Sequence, residues 1–86
     1  MIKKSITIHL SEALDARPIA LLVQEANQYS STVYIDKEEK HINAKSIMGM
    51  MSLGLANGGE LTVITDGSDE SAAVEHIERF LSGEAV

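Results

Sequence analysis

The sequence has no cysteine and no tryptophan. Without cysteine there is no disulfide framework, no thiolate zinc site and no thiol nucleophile. The lack also fits a reducing compartment. Aromatic side chains are confined to Tyr29, Tyr34 and Phe80, too few for a platform on which nucleic-acid bases stack. Positive charge is scarce as well: seven Lys and Arg stand against thirteen Asp and Glu, a formal net charge of −6. That balance disfavours binding to a phosphate backbone, which needs clustered cations, and suits encounters with basic protein surfaces. No apolar run reaches membrane-spanning length, so no membrane insertion is expected. The opening Met1-Ile2-Lys3-Lys4 leads into alternation rather than an apolar stretch. No secretory signal is therefore expected, and the reading is cytoplasmic.

What is present is compact. At 86 residues the chain is read as one domain spanning 1–86, with a small core and little room for a deep active site. Function is expected on loops and helix ends. Ser5 to Leu10 alternates, with Ile6, Ile8 and Leu10 on one face, as in a half-buried strand. Ser11 to Asp15 reads as a loop. From Ala16 to Gln28 the period becomes helical, with Ile19, Ala20, Val23 and Ala26 on one side. Asp15 is placed to cap this helix, and the lone proline, Pro18, lies early in it. Thr32 to Asp36 is a second strand. A charged turn, Lys37 to Lys40, leads into a third, His41 to Ala44. A short helix over Ile47 to Leu53 follows, with Ser46 as its N-cap and Gly54 as its C-cap. Asn57-Gly58-Gly59 is a turn, and Glu60 to Thr65 a fourth strand with Leu61 and Val63 inward. Ser68 or Asp69 caps a last helix to about Leu81, which buries Ala73, Ile77, Phe80 and Leu81.

The order β-α-β-β-α-β-α predicts an α+β fold: an open-faced sandwich, one four-stranded antiparallel sheet with three helices on a single face. His9, His41 and His76 show no metal-ligand spacing and read as surface or edge histidines, the first two on strands and the third on the last helix. No metal or cofactor is implied. Glu38-Glu39 and Asp69-Glu70 read as solvated charge. Two helix starts draw attention, Asp15-Ala16-Arg17-Pro18 and Ser46-Ile47-Met48-Gly49, because unpaired N–H groups favour anions there. Ile47, Met48, Met50 and Met51 are more apolar residues than so short a helix can bury. Two readings stand side by side: core packing, for which Ile47 and Met50 or Met51 are the candidates, and an exposed, adaptable docking patch.

These segments resemble a known family. Leu14-Asp15-Ala16-Arg17-Pro18 is similar to the active-site loop of HPr, the phosphocarrier of the bacterial sugar phosphotransferase system, which reads Gly-Leu-His-Ala-Arg-Pro. Asn43-Ala44-Lys45-Ser46-Ile47-Met48-Gly49, extended by Met51-Ser52-Leu53-Gly54, resembles the regulatory segment of Gram-positive members. The resemblance spans nearly the whole chain. It implies a carrier or regulatory protein with no turnover of its own, acting in sugar transport and carbon catabolite repression. It implies phosphorylation of Ser46 by HPr kinase/phosphorylase, a CcpA-type transcription regulator as partner, and enzyme I and transporter subunits as further partners. Arg17 would contact phosphate; Ala20, Ile47, Met48 and Met51 would dock partners.

One substitution sets this chain apart. Asp15 stands where the carrier has histidine. Neutral imidazole is a competent nucleophile near neutrality. A carboxylate at a helix start is held ionised by the dipole and repels an incoming phosphoryl group. Glu12 adds negative charge, and Ala13 replaces a glycine of the family. The chain thus resembles the histidine-less Crh class. At Asp15 two readings stay open, a plain helix cap and a partial imitation of phosphohistidine. Two alternatives to the regulatory reading also stand: a phosphocarrier passing phosphate from enzyme I through Asp15, and a generic α+β interaction domain.

Overall fold

The computed structural model describes residues 1–9, 16–53 and 59–82, with backbone alone for 16–18. These residues form β1 (Ile2–Thr7), α1 (Ala16–Ala26), β2 (Thr32–Lys37), β3 (Lys40–Asn43), α2 (Ile47–Leu53), β4 (Glu60–Asp66) and α3 (Glu70–Leu81). The strands make one antiparallel sheet in the order β1-β4-β2-β3. The expected open-faced α+β sandwich is what forms. Ile6, Val33, Ile35, Leu61, Val63 and Thr65 point from the sheet into the core. Their strand neighbours Ser5, Thr7, Tyr34, Thr62 and Ile64 lie on the other, open face. On the covered face α3 packs over β1 and β4, α2 packs over β3, and α1 packs against α2 and α3.

Several boundaries differ from the sequence reading, each for a local reason. β1 begins at Ile2 and ends at Thr7. Its consecutive lysines break the alternation, yet Ile2 pairs with Thr65, and Lys4 takes an inward position by placing its ammonium 2.7 Å from Glu78 of α3. His9 therefore lies beyond β1 rather than on it; its N–H donates to the Leu81 carbonyl at 2.7 Å. Helix α1 stops at Ala26, two residues early. There the Asn27 amide turns back onto the Val23 carbonyl at 2.9 Å, and Gln28 N–H bonds Glu25 in a tighter turn. Its buried stripe is Ile19, Leu22, Val23 and Ala26. Leu22 is fully enclosed, and Ala20 is only half-buried. On α3, Val74 joins Ala73, Ile77 and Leu81 in the core, while Phe80 is half-buried at its margin.

Two corrections matter more. Asp69 is the N-cap residue of α3, but its side chain makes no capping bond. Its carboxylate reaches across to the start of β2, accepting from the Ser30 and Ser31 N–H groups at 2.8 and 2.9 Å and from the Ser31 hydroxyl. Glu70 is likewise engaged, accepting from the Gly67 N–H at 3.1 Å and from the Met1 amino group. Neither is simply solvated. Leu10, the expected loop from Ser11 to Asp15, the Gly54 cap and the Asn57-Gly58 part of the turn lie outside the described residues.

Candidate functional site

Ser46 ends the turn that follows β3 and begins α2. Its Oγ accepts from the Gly49 N–H at 3.3 Å, and its carbonyl accepts from Met50 N–H at 2.9 Å, the first helical bond. The expected N-cap is thus in place. The residue is exposed. Because its oxygen is an acceptor in this cap, the hydroxyl proton stays available. Gly49 keeps the space beside it open: a Cβ there would stand 3.5 Å from Ser46 Oγ and 3.1 Å from Ile42 Cγ2. At the far end of α2 the Lys40 ammonium donates to the Ser52 carbonyl at 2.8 Å, a cation on a carbonyl left free by the last turn.

Helix α2 is too short to hide its apolar residues, and the structure sorts them. Met50 and Leu53 are buried. Met48 is 83% exposed, Met51 55% and Ile47 42%. Of the three core candidates only Met50 is buried; Ile47 and Met51 stand exposed. Leu21, on the neighbouring α1, is exposed at 46%. Apolar side chains of this size standing in water suit a partner surface, and methionine adapts to varied partners. Ala20 is half-buried. Asp15 lies outside the described residues, as does the Arg17 side chain.

The segment that presents Ser46 is tied to the end of α1 by residues that pattern reading passed over. The Asn43 carbonyl accepts from Ser46 N–H at 3.1 Å, and Asn43 Oδ1 accepts from Lys45 N–H at 2.9 Å. Asn27 Nδ2 donates to the Lys45 carbonyl at 3.3 Å, and Lys45 Nζ donates to the Tyr29 carbonyl at 2.7 Å. Tyr29 is itself fastened: its hydroxyl donates to Glu25 at 3.2 Å and contacts His76 Nδ1 of α3. Burial, then the Glu25 charge, push the Tyr29 phenol above its usual range. A lysine beside a serine and an asparagine after a helix carry no periodic signal. Only the turn propensity of asparagine hints at them.

Among the described residues no group of three His, Cys, Asp or Glu side chains comes together to hold a metal ion. No described helix is long and apolar enough to cross a membrane. On the open sheet face His41 pairs with Asp36 and stacks on Tyr34, with ring centroids 4.6 Å apart.

Residues 2–83 match the family described as the PTS HPr component phosphorylation site. The chain belongs to the HPr family. Within it, the HPr-like protein Crh of Halalkalibacterium halodurans is 46% identical over 84 residues, covering 98% of this chain and 100% of that protein. The HPr-like protein Crh of Bacillus subtilis is 44% identical, covering 98% of this chain and 99% of that one. Among solved structures, the phosphocarrier protein HPr from Bacillus anthracis superposes with a TM-score of 0.88 at 42% identity, over 93% of this chain and 95% of that one. The chain is thus a Crh-like HPr-family member. These relatives are named as carrier and HPr-like proteins, and the reading of a protein without enzymatic turnover agrees with them.

Proposed function

We propose that this single-domain HPr-family protein is a cytoplasmic regulatory docking module, switched by phosphorylation of Ser46 and acting in carbon catabolite repression. The observation that carries the proposal is the exposed N-cap hydroxyl of Ser46 beside exposed Ile47, Met48 and Met51. One face thus offers a phosphoacceptor and an apolar surface that reads its state. HPr kinase/phosphorylase is the enzyme that would use it. Ser46 Oγ attacks the γ-phosphorus of ATP, an O–P bond forms as the bond to the ADP oxygen breaks, and the hydroxyl proton passes to a base of the kinase. The product adds about two negative charges at the start of a helix, where the peptide dipoles favour them. It does so next to Ile47 and Met48, which changes what can dock there. A CcpA-type regulator is the proposed reader, with Arg17 contacting the phosphate and Ala20, Ile47, Met48 and Met51 forming the surface. Asp15 takes the phosphohistidine position and removes the carrier role, because an ionised carboxylate lacks the nucleophilicity of imidazole.

The test pairs two phosphate donors. With kinase and ATP, mass spectrometry is expected to find one phosphate, on Ser46. With enzyme I and phosphoenolpyruvate, no transfer is expected. A hydroxylamine-labile phosphate on Asp15, passed on to a transporter subunit, would reverse the assignment in favour of a carrier. That second reading is kept because the HPr from Bacillus anthracis, a phosphocarrier by name, superposes so well.

A further inference from the structure

Phosphorylation at Ser46 needs more than an exposed hydroxyl. Transfer requires the oxygen to be held in line with the γ-phosphate, and small displacements of a reacting atom are costly in rate. Ser46 precedes a helix of seven residues, too short to fix its own start firmly. What holds that start lies on another element. Asn27 and Tyr29, just past the end of α1, take hold of Lys45 through its carbonyl and its ammonium, at 3.3 and 2.7 Å. Lys45 is half-buried, unlike a freely solvated lysine. Its cation sits just past the C-terminal end of α1, on the Tyr29 carbonyl, a favourable place for positive charge. Tyr29 is braced in turn by Glu25 and by His76 of α3. The residue directly before the acceptor is therefore fastened at both ends to a part of the molecule that does not include α2.

We infer that Asn27 and Lys45 are positioning residues for the phosphoacceptor: they clamp the 43–46 segment onto the end of α1 and so fix the direction in which Ser46 presents its hydroxyl. This inference rests on the Ser46 reading and adds to it a division of labour. The exposed apolar residues of α2 supply binding, and the clamp supplies orientation. Neither Asn27 nor Lys45 touches the reacting atoms; both act through the backbone of residue 45.

The division is measurable in steady-state phosphorylation by HPr kinase/phosphorylase with ATP, using the full-length chain. Asn27→Ala and Lys45→Met are each expected to lower kcat about ten-fold while KM changes less than about two-fold. Lys45→Arg keeps a cationic donor and is expected to restore most of the rate. Because both residues act on one segment, the double variant is expected to lose little more than either single one. Amide hydrogen exchange gives a second reading that needs no kinase. The Lys45 and Ser46 amides are expected to exchange about five-fold faster in both variants, the effect of losing one hydrogen bond of ordinary net strength. Amides of β2 and β4 should keep their wild-type rates. If Lys45→Met raises KM while Asn27→Ala is silent, Lys45 is a kinase contact and the inference is wrong. Unchanged exchange at both amides overturns it equally. A wild-type chain that takes no phosphate on Ser46 removes the functional reading, and the exchange rates then decide by themselves whether the clamp exists.

Discussion

Asp69, at the start of α3, holds Ser31, at the start of β2, through two bonds: the Ser31 N–H at 2.9 Å and the Ser31 hydroxyl. The Ser30 N–H adds a third at 2.8 Å. Only the ionised carboxylate can accept all of them, so the Ser31 hydroxyl first, and the backbone N–H groups with it, draw the Asp69 pKa below its usual value. Glu70 is lowered too, chiefly by the Gly67 N–H and then by the Met1 amino group. Both carboxylates are harder to protonate in the folded chain than in the unfolded one. Their contribution to stability is thus fully present above the unfolded value near pH 4 and is lost as pH falls through the lower folded values. A series of thermal melts from pH 7 down to pH 2.5 is expected to show the melting temperature dropping below about pH 4. Asp69→Asn should start lower at pH 7 and fall less steeply in acid. Parallel curves for the two proteins would mean that the clamp contributes nothing to acid sensitivity.

The same corner fixes a glycine. Gly67 has φ +150°, and a Cβ there would come 2.6 Å from Ser31 Oγ and 2.7 Å from Ser31 Cα. Ser31 cannot retreat, because Asp69 grips it. Gly67→Ala therefore meets both an unfavourable backbone angle, worth about 1–3 kcal/mol, and a collision with main chain. Urea denaturation should show a loss at the upper end of that range or beyond. A variant within experimental error of wild type would show that the corner can shift to make room.

Much of this architecture was legible in the sequence because it rests on periodicity. Alternation in Ile6 and Ile8, and again in Leu61 and Val63, gave the inward face of the sheet. The three-and-four spacing of Ala73, Ile77 and Leu81 did the same for α3. Ser46 was found as a cap because a hydroxyl before an apolar run is itself a local signal. Asp69 takes the cap position that the pattern predicts, but the tertiary approach of Ser31 diverts its carboxylate from the helix N–H groups. Which residues of α2 are buried is not legible, because a seven-residue helix shows too few turns to define its inward side. Lys45 and Asn27 were invisible, since their meaning lies in a contact between residues 18 positions apart.

The hairpin between β2 and β3 offers a stabilising change. Lys37 pairs with Lys40, so Glu38 and Glu39 alone make the turn. Glu38 has φ +58°, an angle natural to glycine and costly for a residue with a Cβ. Relief of that strain, about 1–2 kcal/mol, outweighs the extra chain entropy that glycine brings to the unfolded state. Glu38→Gly should raise stability by up to about 1 kcal/mol, a rise in melting temperature of roughly 4–8 °C per kcal/mol for a chain this size. A lower melting temperature would show that the Glu38 side chain contributes more than its backbone angle costs.

Met48 and Met50 lie two residues apart on α2 and give opposite expectations. Met50 is fully buried, so Met50→Ala leaves a cavity and should cost about 2–5 kcal/mol. In a domain whose total stability is of order 5–15 kcal/mol, that is a large share. Met48, at 83% exposed, has little packing to lose. Met48→Ala should leave the unfolding free energy within about 0.5 kcal/mol of wild type. Its effect should appear in partner binding, because truncating a large apolar side chain at the centre of an interface costs upward of about 1 kcal/mol in affinity where it is a hot spot. Calorimetric titration of HPr kinase/phosphorylase into each folded variant measures this directly. Weakened binding by Met48→Ala at unchanged stability identifies the exposed face of α2 as the docking surface. Unaltered affinity would move that surface elsewhere, because no described side chain that the proposal assigns to docking is as exposed as Met48.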